Sequence, residues 1–297
     1  MLKEKLYPLY DKHHKKTLIF PIIIILLSIL IIGYKYYTTG DFIEKDVSLK
    51  GGISATIYTE NEINVKELKS FLTSKFPNAD IAIRKLGDFS TGKQVGISID
   101  ATNIKSDDLK IALQENLQLT LTDENLSVEE IGSSLSQSFY KEILYAVLIA
   151  FLFMGIVIFI IFRLPIPSLT VILCAFTDII ATVAVVDLLG IKLSMGGIAA
   201  FLMLIGYSVD TDILLTTRVL KRKEGTLFDR MYEASKPGLT MTITTIVAVF
   251  IGYLLATSAV MQQIFLIIFI GGIWDIFNTW ITNTSILYWY CKKKGVA

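Results

Sequence analysis

Six runs of about twenty apolar residues divide this chain, each long enough to cross the hydrocarbon core of a bilayer as a helix. One lies near 17–36, and five follow near 142–162, 168–187, 194–217, 239–258 and 263–290. The chain therefore reads as an α-helical polytopic membrane protein with six transmembrane helices. A basic amino-terminal stretch at 1–16, one soluble insert at 37–141 and a short tail at 291–297 complete it, the last five spans forming a membrane core over 142–290. Composition agrees: 53% of residues are hydrophobic and 19% charged, where a soluble domain is nearer half and a quarter.

The first run follows basic residues, as a secretory signal would. TLIFPIIIILLSILIIGYKYY is nevertheless too long for a signal's apolar region, and no small-x-small site follows, so it is expected to stay as an anchor. Orientation follows from the short loops, because Lys and Arg concentrate on the cytoplasmic side. Lys3, Lys5, Lys12, Lys15 and Lys16 precede the first span, six basic residues occupy Arg218 to Lys236, and Lys292, Lys293 and Lys294 close the chain. The short connections on the other side hold only Lys192. Both termini are expected in the cytoplasm and the insert outside the cell membrane.

From Asp41 to Glu130 the insert carries sixteen acidic and ten basic residues, a net of about minus six. That charge suits a solvated domain and not a nucleic-acid or anionic-lipid surface. Its pattern reads strand (53–58), helix (65–76), strand (79–86), strand (94–100), helix (106–117) and strand (127–131). Ser106 with Asp107 and Asp108 suits a helix start, a polar cap followed by acids in the first turn. This is the βαββαβ order of a small α+β, ferredoxin-like domain, a superfold that carries little functional information.

The chemistry lies in the apolar runs. Asp178, Asp210, Asp212 and Asp275 stand inside them, and an intramembrane carboxylate normally faces a protein interior, a polar cavity or an ion path. At about 100° per residue Asp210 and Asp212 point roughly 160° apart, so a straight helix aims one at the bundle interior and the other at a partner or a polar loop. Asp212 shares its face with Ser208 and Thr216 and is the better candidate for the interior. Asp178 has Thr182 one turn on, and Asp275 leads a stripe through Asn278, Thr279, Thr282 and Asn283. Thr240, Thr242, Thr244 and Thr245 supply hydroxyls to a polar seam expected through helices three to six. Simpler readings stand beside these. Intramembrane Thr and Asn also serve interhelical packing, and Gly196, Gly197, Gly206, Gly252, Gly271 and Gly272 allow close helix contact. Arg218 suits either the inner interface or a pairing with an aspartate one or two turns away, and Asp187 suits the outer interface.

Cys174 lies mid-span and Cys291 at a helix end, so neither a disulfide framework nor a zinc pattern is present. His13 and His14 fit a solvated basic face. The chain has no phosphate-binding loop, no Gly-x-Ser-x-Gly elbow and no HExxH. No catalytic residue, cofactor or metal is expected.

The stretch IAAFLMLIGYSVDTDILLTTRVLKR, together with DVSLKGG at 46–52, FTDIIATVAVVDLLG at 176–190 and PGLTMTITTIVAVF at 237–250, resembles the SecD/SecF family of the resistance-nodulation-division superfamily. Asp46, Gly51 and Gly52 match the motif that opens the family's outer domain. Ser208, Val209, Asp210, Thr211 and Asp212 stand where bacterial members typically read Ser-Val-Asn-Asp-Thr, and this Asp-Thr-Asp form is similar to archaeal members. The resemblance implies an accessory subunit of Sec protein export, with SecD, the Sec protein-conducting channel and translocating polypeptides as partners, and with H⁺ or Na⁺ movement past the aspartates. Ser208, Thr216, Arg218, Thr240, Thr244 and Asn278 would support those carboxylates, and the small residues of the fourth span, with Ala199 and Ala200, would face SecD.

Other classes leave different marks. An intramembrane aspartyl protease needs a Gly-x-Gly-Asp that GIWD does not provide. An ion-coupled efflux subunit would share the carboxylates, although members of that class usually hold two large outer inserts in one chain. A passive scaffold of SecD would share the architecture without coupling to ions.

Overall fold

The computed structural model describes residues 16–59, 61–87, 94–117, 119–122, 124–222, 224–256 and 258–295. The basic residues before Lys16, with His13 and His14, lie outside that set. Helix α1 (Ile19–Thr39) ends at Gly40, whose φ of 77° suits a residue without a side chain. A single turn, α2 (Val47–Lys50), leads into the domain between the first two spans.

That domain runs β1 (Gly52–Tyr58), α3 (Val65–Lys75), β2 (Ile81–Gly87), β3 (Gln94–Ala101), α4 (Ser106–Leu117) and β4 (Leu126–Ile131). The four strands form one antiparallel sheet in the order β2-β3-β1-β4. Alternation along β1 sends Ile53, Ala55 and Ile57 to one face, where they oppose Ala101, Ile99 and Ile97 of β3. There they meet Leu68 and Leu72 of α3 and Leu109, Ala112 and Leu113 of α4, all buried. The opposite face is polar. Ser54 donates to Asp100 at 2.8 Å, and Arg84 pairs with the same carboxylate.

Five long helical rods follow: α5 (Ser133–Phe162), α6 (Pro165–Leu188), α7 (Met195–Lys221), α8 (Leu227–Leu255) and a last rod built in three parts. The last begins as α9 (Ala259–Phe277), passes through a π-helical segment at Asn278–Asn283 and ends as α10 (Thr284–Lys294). With α1, these give six helices long and apolar enough to cross a membrane, and the chain is a multi-pass membrane protein. The rods α6, α7 and α9–α10 form the centre, while α1, α5 and α8 leave most of their apolar surface exposed.

Helix ends depart most from the sequence expectation in two places, each for a local reason. Gly132 takes an extended conformation just ahead of α5, so the helix starts at Ser133, inside the stretch expected to belong to the soluble domain. Thr226 and Asp229 form a reciprocal capping box, so α8 begins at Leu227 and draws much of the basic connection into helix. Close helix contacts use five of the six expected glycines. A Cβ on Gly271, for instance, would meet the Leu204 side chain at 2.4 Å, whereas one on Gly206 would meet nothing within 4 Å.

Candidate functional site

Three of the four aspartates meet inside the bundle. Asp178 on α6, Asp212 on α7 and Asp275 on α9 are each fully buried. Asp178 accepts from Ser208 Oγ at 2.6 Å and from Asn278 Nδ2 at 2.5 Å. Asp275 lies within hydrogen-bond reach of the hydroxyls of Thr211 and Thr279 at 3.1 Å and Thr242 at 3.4 Å. Asp212 accepts from Asn283 Nδ2 at 2.7 Å, and the same amide approaches Thr216 Oγ1 at 3.5 Å. Its second oxygen and Asn283 Oδ1 are buried without a hydrogen-bond partner.

Helical phase brings these groups together. Ser208, Thr211 and Asp212 share the inward side of α7, and all three are buried. On the last rod, Asn278, Thr279, Thr282 and Asn283 are fully buried within a six-residue π segment. Such a segment shifts the phase of everything beyond it, and π bulges recur at functional sites. Among the described residues, no Lys or Arg ion-pairs with Asp178, Asp212 or Asp275. No group of three or more His, Cys, Asp or Glu among them is placed to hold a metal ion.

Other expected members lie elsewhere. Asp210 is exposed on the outward side of α7, in line with exposed Ala199, Met203 and Gly206. Thr240 and Thr244 are exposed too, their hydroxyls donating to carbonyls of their own helix at 2.8 Å. Thr242, two residues from each, is the threonine that α8 turns toward Asp275. Arg218 donates to the Glu233 carbonyl at 3.2 Å and not to an aspartate. Ala200, expected on a partner-facing side, is buried within the bundle. Thr211, Thr242, Thr279 and Asn283 complete the seam. Three of them stood out only as members of a polar stripe, and Thr211 was hidden between two carboxylates.

The glycine motif organises the junction between domain and bundle. Asp46 caps α2, accepting from Ser48 N at 2.9 Å and Ser48 Oγ at 2.5 Å. Burial, with Asp100 nearby, pushes its carboxyl above the usual carboxylate range against those hydrogen bonds. Gly51 has φ 86°, and a Cβ there would lie 2.4 Å from the Ser133 backbone. At Gly52 a Cβ would lie 2.4 Å from the Ala101 carbonyl oxygen. A side chain at Gly51 would force the start of α5 away, and one at Gly52 the end of β3.

Comparison with known proteins identifies the architecture. Residues 112–293 match the family described as protein export membrane protein SecD/SecF, C-terminal. The protein-export membrane protein SecF of Pyrococcus furiosus is 35% identical over 99% of this chain and 97% of its own length. The SecF of Methanocaldococcus jannaschii is 38% identical over 95% and 97%. Among solved structures, SecDF of Thermus thermophilus, a translocon-associated membrane protein, superposes with a TM-score of 0.72 at 17% identity. That match covers 95% of this chain and 38% of the SecDF chain, and at such identity it speaks to fold alone. Matched to its archaeal relatives along nearly their whole length, the chain belongs to the SecF branch of the SecD/SecF family of protein-export membrane proteins.

Proposed function

We propose that this chain is an accessory membrane subunit of Sec protein export, working beside a SecD-like chain and the protein-conducting channel and drawing on an ion gradient through Asp178, Asp212 and Asp275. The observation that carries this reading is the meeting of three buried carboxyls from three spans, with no Lys or Arg among the described residues paired to them. A buried carboxylate without a paired charge is costly. A proton or a cation relieves that cost, so loading and unloading one biases the bundle between two packings.

Partnership with a SecD-like chain is supported by Asp210. A carboxylate exposed near the middle of a 27-residue span is expensive against lipid, and the small residues Ala199 and Gly206 on the same stripe permit close approach of another helix. The basic connection after α7 and the basic end of α10 support a cytoplasmic position for that end of the bundle, with residues 37–141 on the extracytoplasmic side. There the domain would handle the emerging polypeptide. Its βαββαβ order and β2-β3-β1-β4 sheet support the ferredoxin-like assignment.

The test is release of a secreted reporter from membrane vesicles, with and without an imposed proton or sodium gradient, at matched levels of parent and variant. Asp178→Asn, Asp212→Asn and Asp275→Asn should each reduce gradient-dependent release, Asp212→Asn to the level seen without a gradient. Full gradient-dependent release from all three would leave the aspartates as packing groups.

A further inference from the structure

The loop between α6 and α7 is held from two sides, and the two holders are the inter-span domain and α9. From the segment that leads into the domain, the Asp46 N–H donates to the Leu193 carbonyl at 2.9 Å, and the Leu193 N–H donates to the Glu44 carbonyl at 2.6 Å. Ser48 Oγ accepts from the N–H of Met195 at 3.0 Å. Met195 is the first residue of α7, so an amide that the helix itself cannot satisfy is satisfied by the turn that leads into the domain. Lys192 reaches both oxygens of Asp80 at 2.7 Å. From α9, Gln263 donates to the Lys192 carbonyl at 2.6 Å and accepts from Ser194 N at 3.0 Å and from Ser194 Oγ. Asp46, Leu193, Ser194 and Gln263 are all buried. Separating domain from bundle here would break this whole set of hydrogen bonds, and a shift that kept the groups buried would leave them unpaired.

We propose that this joint fixes the domain to α7 and α9 as one mechanical body, with Asp80, Lys192 and Gln263 as positioning residues. The two helices so fixed carry Asp212 and Asp275, so a change of packing around those carboxyls moves the domain through the segment 192–195. The mechanical claim stands on the contacts alone, and its role in export rests on the ion-coupled reading above.

The experiment uses the full chain in lipid nanodiscs, with spin labels on cysteines at exposed Ser70 in α3 and Ser258 at the start of α9, and reads the distribution of distances between them. Cys174 and Cys291 are buried and should not compete for label. Because Lys50 also approaches Asp80, at 3.7 Å, all forms carry Lys50→Gln. The parent should give one narrow distance. Lys192→Glu and Gln263→Leu should each broaden it, and Lys192→Glu combined with Asp80→Lys should narrow it again. A broad distribution in the parent, or one that Lys192→Glu leaves unchanged, overturns the joint. In the vesicle assay Lys192→Glu should lose gradient-dependent release and the charge swap should recover it. If distances respond as stated while release stays at the parent level in Lys192→Glu, the joint is structural and its role in transmission is overturned. Loss of release in Asp212→Asn is then the separate test of the ion-coupled reading.

Discussion

The inter-span domain and the membrane bundle bury opposite kinds of side chain. In the domain, Ile53, Ile57, Leu68, Leu72, Ile97 and Leu113 are inside, and the charged residues of α3 and α4 face out. In the bundle, Leu148, Leu152, Ile160 and Val247 are outside, while Asp178, Asp212, Asp275, Asn278 and Asn283 are fully buried. Water explains the first arrangement, since removing apolar surface from it is the main driving force of folding. Lipid removes that force between helices, leaving packing and interhelical hydrogen bonds to hold them together. Polar groups at the centre of the bundle therefore serve as its adhesive and also as its chemistry, whereas in the domain they are confined to one sheet face and to the junction.

The contrast is easiest to break by truncating one leucine in each region. Leu72→Ala in the domain should cost about 2–5 kcal/mol, because a buried cavity adds to the lost transfer energy. Leu148→Ala, on the exposed side of α5, should change thermal stability little. Equal losses in denaturation of the two variants would mean that the exposed side of α5 is packed against protein.

A second comparison asks whether each region stands alone. The fragment 40–138 contains the whole apolar cluster of the domain, and it should melt cooperatively with mixed helix and strand signals in circular dichroism. A fragment lacking a cooperative transition would show that the domain draws its stability from the joint with the bundle.

Asp46 sharpens the picture at that joint. Asp46→Asn keeps an acceptor for Ser48 and removes a buried charge, so stability should hold or rise. Asp46→Ala removes the cap and should cost about 0.5–2 kcal/mol. Melting curves of the two variants separate capping from charge.

The smallest effect concerns Asp80. Partial burial raises its carboxyl, but the Lys192 hydrogen bond and the charges of Lys192 and Lys50 outweigh burial and hold it below its ordinary value of 3.8. A depressed carboxylate contributes stability that is present above the ordinary value and lost as pH falls through the folded one. In a labelled form that keeps Lys50, the Ser70–Ser258 distance should thus hold steady through neutral pH and broaden only in acid below that range. Broadening near neutrality would assign the joint's charge to another group.

Much of this was legible from sequence because the two environments write different periods. Twenty-residue apolar runs marked the spans, and two-residue alternation marked β1, whose Ile53, Ala55 and Ile57 all face the cluster. The opposed directions of Asp210 and Asp212 followed from helical phase alone. Phase was less informative where a run offered several similar residues, as with Thr240, Thr242 and Thr244, since only packing decides which one turns inward. Asn283 was obscured differently. The π segment before it interrupts regular helical spacing, so its approach to Asp212 does not follow from counting turns. Gln263 carried no local signal, because its partners lie about seventy residues away in the chain.

Under the proposed function, two carboxylates two residues apart on α7 serve opposite faces, Asp212 the buried seam and Asp210 a partner chain. Asp212→Asn and Asp210→Asn can be compared in native membranes for gradient-dependent release and for crosslinking from a cysteine at Ala199 or Gly206. Asp212→Asn should lose gradient-dependent release while its crosslink to a SecD-like chain persists. Asp210→Asn should weaken that crosslink. Loss of release with a normal crosslink in Asp210→Asn, together with unaltered release in Asp212→Asn, would reverse the assignment of the two carboxylates.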